Sequence, residues 1–87
     1  MADGAAKNDT FAQIAKDAAA AGDVDAARSA LLQIPDESLR EKTAYKTVLS
    51  MGKANKRREA GQLLRFIRDP ALSKKAQTKI ANNDWSE

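Results

Sequence analysis

The sequence predicts an all-α fold of about five helices in antiparallel hairpins, arranged as a short α-solenoid-like repeat. Apolar residues recur at helical spacing in every segment long enough to read, and no segment alternates with period two. Gly22, Pro35, Gly52 and Asp69-Pro70 punctuate the chain at helix-sized intervals. One small-residue pattern also occurs twice. Ile14-Ala15, Ala18, Gly22-Asp23, Ala27, Leu31, Ile34 and Asp36 return as Val48-Leu49, Gly52, Ala60, Leu64, Ile67 and Asp69-Pro70, 33 or 34 positions later. A period in that range, built from paired amphipathic helices, marks an α-helical repeat array, whose usual work is binding other macromolecules.

Residues 1–8 carry small residues without periodicity and read as a disordered leader; residues 9–82 read as one helical-repeat domain. Asp9 or Thr10 can cap a first helix reaching about Ala21, with Phe11, Ile14, Ala15 and Ala18 on its apolar face. Gly22 ends it and Asp23 caps a second helix, which buries Ala27, Ala30, Leu31 and Ile34 and stops at Pro35. Asp36 caps a third helix to Met51. Its apolar face (Ala44, Tyr45, Val48, Leu49, Met51) covers about 160° of arc, more than one neighbour needs, which places it centrally. After a loop over Gly52–Asn55, a fourth helix from Lys56 to Arg68 turns Ala60, Leu63, Leu64 and Ile67 inward. Asp69-Pro70 starts a fifth, running to Ala81 on Leu72, Ala76 and Ile80. Residues 83–87 form a polar tail around Trp85.

Composition narrows the function. Eighty-seven residues allow one domain, and the 43% apolar content is dominated by alanine, which packs closely but buries little area. With no cysteine and no histidine, the chain lacks a thiol nucleophile, a disulfide framework, the commonest general base and the commonest transition-metal ligand. Asp9, Asp23, Asp36 and Asp69 are explained by capping, and no paired carboxylates, glycine-rich phosphate loop or metal-ligand spacing is present. The expectation is a non-enzyme without cofactor or metal. No apolar run approaches the ~20 residues of a membrane span, and the chain is expected to be cytoplasmic.

At Gly22-Asp23-Val24-Asp25-Ala26-Ala27 the chain resembles a tetratricopeptide-type repeat. That family places a glycine and an acidic residue at the turn, an alanine five after the glycine and a large apolar residue nine after it, where Ala27 and Leu31 stand. The second copy departs from it, with Lys56 for the turn glycine and Ala60 four residues on. The resemblance implies helical hairpins and a protein-binding role. A helix-turn-helix reading of Ala18 to Leu31 would need an apolar residue six after Gly22. Arg28 stands there, and burying an arginine without a partner is costly.

Charge supplies the functional expectation. The net +3 divides into −3 up to Tyr45 and +6 from Lys46 onward. On a continuous fourth helix Arg57, Arg58, Arg65 and Arg68 project within about 100° of one another. Lys53 and Lys56 precede them, and Lys74, Lys75 and Lys79 follow. Like charges on one face repel, and Lys56 to Arg58 oppose the helix dipole, so an anionic partner would relieve the cluster. The expected partner is an acidic protein segment. The alternative is a nucleic acid held through phosphates, against which stands the absence of aromatics among the basic residues. Pairing of the acidic front with the basic back of another copy would give a homo-oligomer. Phe66 packs on the fifth helix or serves as an apolar anchor, and Trp85 folds back over the stack or docks on a partner. Leu32 is expected to meet the next repeat.

Overall fold

The computed structural model describes residues 2–86, and among them the fold is all-α. Helix α1 spans Ala2–Ala20, α2 Val24–Leu32, α3 Glu37–Lys53, α4 Arg57–Gln62 and α5 Pro70–Ala81; a 3-10 turn over Leu63–Phe66 follows α4. Helix α1 begins ahead of the start expected at Asp9 or Thr10. No proline intervenes there, and alanine-rich sequence lets an established helix extend toward its N-terminus.

Two helix ends, 33 positions apart, are closed by the same backbone hydrogen bonds. At the end of α1 the Asp23 amide donates to the Ala18 carbonyl and the Gly22 amide to that of Ala19, at 2.9 and 3.0 Å. At the end of α3 Lys56 donates to Met51 and Asn55 to Gly52, at 2.8 and 2.9 Å. Both are Schellman caps, closed by a left-handed residue. Gly22 (φ 76°) is that residue in the first copy; Asn55 (φ 65°), not Lys56, occupies the equivalent place in the second. Asparagine tolerates this region better than other residues with a Cβ. A third cap closes α5 at Asn83 (φ 53°), with Asp84 donating to Lys79 at 2.9 Å. Helix starts repeat as well. The Asp36 and Asp69 carboxylates accept from the Leu39 and Ala71 amides.

Helix α3 packs against every other helix and the 3-10 turn, and is the central element. Among the described residues, eight of the fifteen buried apolar ones are alanines, so helices approach closely while little apolar area is removed from water per contact. Ala12, Ala15 and Ala19 form the buried stripe of α1, because that helix packs on both α2 and α3. The face expected around Ile14 is thereby corrected. Ile14 lies on the far side and is 45% exposed.

The fourth helix is shorter than its periodicity suggests. The chain tightens to 3-10 geometry after Gln62, and Ile67 is extended (φ −104°, ψ 104°). Gly61 weakens helix propagation just before the break. Beyond it, the Glu41 carboxylate on α3 accepts from the amides of Arg68 and Asp69, at 2.5 and 2.7 Å, holding the chain non-helical ahead of Pro70. A common face for Arg57, Arg58, Arg65 and Arg68 therefore does not form, since 100° per residue ceases to apply after Gln62.

Candidate functional site

The nine basic residues singled out from the sequence separate into structural and free groups. The Arg57 guanidinium donates to the Ala81 carbonyl at 3.3 Å, where a positive charge complements the C-terminal end of α5. The Lys79 ammonium, with a side chain only 13% exposed, donates to the Ser86 carbonyl at 2.6 Å and lies 3.7 Å from the Asp84 carboxylate. Lys75 sits over the Tyr45 ring, 5.4 Å from its centroid. The stem of Lys56 lies across Gly22. Arg58, Lys74 and Lys53 are exposed.

Arg65 and Arg68 meet elsewhere. With Leu32, Glu37, Arg40 and Phe66 they line a cleft of about 250 Å³ between the end of α2, the start of α3 and the 3-10 turn. Leu32 is 65% exposed although it faces the second repeat, because it is the last residue of α2 and follows the inward-pointing Leu31. Leu32 stands across the cleft from Arg65, Phe66 and Arg68, in the segment it was expected to meet, without being covered by them. The two repeats leave an open gap at this point. Phe66 is half-buried, packed on the core with one side toward the cleft. No ion pair joins Arg40, Arg65 or Arg68 to a carboxylate among the described residues. The cleft thus combines apolar surface with three guanidiniums that form no ion pair among the described residues, and Glu37 lines it with them.

Trp85 folds back on its own chain. Its indole lies so close on the Gly52 backbone that a Cβ at Gly52 would fall 1.9 Å from indole Cδ2, and its Nε1 donates to the Asn83 side-chain oxygen at 2.9 Å. Gly52 is buried near the end of α3 rather than exposed in a loop. The tail is closed locally. The Ser86 hydroxyl and amide donate to the Asp84 carboxylate at 2.6 and 3.1 Å, holding that carboxyl below its ordinary range, with further help from Lys79.

Sequence reasoning missed a second cationic region. Lys16 of α1 and Lys42, Lys46 and Lys53 of α3 border a groove on the side of α3 away from Glu37 and Arg40. The signal was present in their spacing. At 100° per residue Lys42, Lys46 and Lys53 fall within about 40° of one another. It was obscured because two of them precede the charge change at Lys46 or sit at it, and because the fourth helix drew the attention. Arg40 was missed for the same reason, standing in the acidic half of the chain.

No protein-family model, curated protein or solved structure matches the chain. Among the described residues, no helix is long and apolar enough to cross a membrane.

Proposed function

We propose that the chain is a non-enzymatic, cytoplasmic adaptor, tetratricopeptide-like in its repeated hairpins, that binds an acidic segment of a partner protein through the Leu32–Phe66 cleft. The observation that carries this reading is the grouping of Arg40, Arg65 and Arg68, none paired with a carboxylate, around an exposed leucine and a half-buried phenylalanine. Arginine and aromatic side chains beside apolar surface are the composition of interaction hot spots. An apolar partner side chain flanked by carboxylates would cover Leu32 and neutralise the guanidiniums in one contact, with arginine suited to bidentate pairing. The most exposed apolar group in the cleft is Leu32, which offers no π-face for a base, while Phe66 is half-buried against the core, and this balance supports a polypeptide over a nucleic acid.

Titration with a short labelled peptide carrying leucine between aspartates and glutamates tests this. Leu32→Asp and the double variant Arg65→Glu/Arg68→Glu should each weaken binding at least about tenfold. All three positions are exposed, so far-UV circular dichroism should be unchanged. Equal binding by the variants would refute the assignment. Generic RNA bound more tightly than the peptide, with affinity collapsing as salt rises, would instead assign the arginines to phosphates.

A further inference from the structure

The groove on the opposite side of α3 has an internal polarity that the Leu32–Phe66 cleft lacks. Its larger chamber, about 430 Å³, has apolar walls from Ala12 of α1, Leu39 and Tyr45 of α3, and Leu72 of α5. The smaller chamber, about 270 Å³, is formed by Leu49, Ser50 and Lys53. Lys16 and Lys46 line both and stand at the junction, with Lys42 on the rim of the first. Among the described residues, the one carboxylate lining either chamber is Asp9, in the apolar chamber about 10 Å along α1 from Lys16. None of the four lysines has a carboxylate partner among the described residues.

We propose that this groove binds a small amphiphilic anion, its single phosphate or carboxylate head between Lys16, Lys46 and Lys53 and its apolar body along Ala12, Leu39, Tyr45 and Leu72. A neutral apolar molecule would draw nothing from the lysines, which solvent already hydrates. A polyanion threaded along the whole groove would bring negative charge to Asp9. A ligand charged at one end alone meets both constraints. The lysine ammonium, a compact point charge on a flexible stem, suits a small anionic head that several donors share. The larger chamber falls within the range of small-molecule sites. Because it is half-open, each methylene of the ligand contributes less than full burial would give. The inference does not depend on the Leu32–Phe66 cleft, since Arg40 and Glu37 project from the other side of α3 and no residue lines both.

The test follows backbone amide resonances of the full chain during titration with decyl phosphate kept below its micellar concentration. Butyl phosphate, inorganic phosphate and decanol are titrated in parallel. Saturable binding is expected, with the largest shifts at Tyr45, Lys46 and Ser50, and an affinity at least about tenfold above each of the three comparison compounds. The variant Lys16→Gln/Lys46→Gln should retain its helical spectrum and lose about tenfold in affinity for decyl phosphate. Three results would overturn the proposal. These are no saturation by about 1 mM, equal affinity for butyl and decyl phosphate, and unchanged binding by the double variant. Tighter binding of hexaglutamate than of decyl phosphate at the same amides would also overturn it, assigning the groove to a polypeptide.

Discussion

Gly52 shows how one missing Cβ can organise a terminus. The indole of Trp85 occupies the space that any side chain at 52 would need. Gly52→Ala should therefore expel the tail, at a cost of about 1–3 kcal/mol. As Trp85 is the chain's one tryptophan, its emission should shift to the red in that variant; unchanged emission would contradict the packing. The same tail carries a pH prediction. Asp84 is held below its ordinary value, first by the Ser86 hydroxyl and then by the Ser86 amide, with Lys79 adding to the effect. A depressed carboxyl contributes stability that is present above its unfolded pKa and lost as pH falls through the folded one. Tail docking, followed by Trp85 emission, should hold down to the ordinary carboxylate range and loosen below it. In Ser86→Ala the loosening should begin at higher pH. A midpoint unmoved by that substitution would remove Ser86 from the account.

Among the elements, those with strong local signals were legible. Asp23, Asp36 and Asp69 cap their helices as their side chains permit, and each accepts from a backbone amide in the first turn. Pro35 and Pro70 fall where the ladder has no use for another donor. The non-helical course of the chain beyond the break was illegible because what holds it is the Glu41 carboxylate, 27 and 28 residues from the Arg68 and Asp69 amides that it accepts from. Periodicity reports a helix's own neighbours and carries no trace of such a long-range acceptor. Removing it in Glu41→Ala should cost about 1–2 kcal/mol, with Glu41→Gln, which keeps a neutral acceptor, losing less. Chemical denaturation measures the difference, and amide exchange at Arg68 and Asp69 should rise in parallel. Protection unchanged in Glu41→Ala would mean that α5 is held by its apolar stripe alone.

In the whole molecule, α3 stands at the centre, where its broad apolar face was expected to place it. The surface was less legible. Arg65, Arg68 and Phe66 were recognisable as candidates, yet their companions Leu32 and Arg40 stand on other helices, at the end of α2 and the start of α3, and approach them only through the fold. Conversely, Arg57 and Lys79 looked free in the sequence and are engaged by the end of α5 and the tail. Charge counted along a chain cannot distinguish a cation that closes a helix end from one left facing solvent. The account's central claim is that the free guanidiniums and Leu32 form one binding site for an acidic segment. Amide shift mapping with the leucine-containing acidic peptide tests it most directly. The largest perturbations are expected to cluster at Leu32, Glu37, Arg40 and 65–68. Perturbations concentrated at Lys42, Lys46 and Lys53, or spread evenly over every cationic residue, would contradict it.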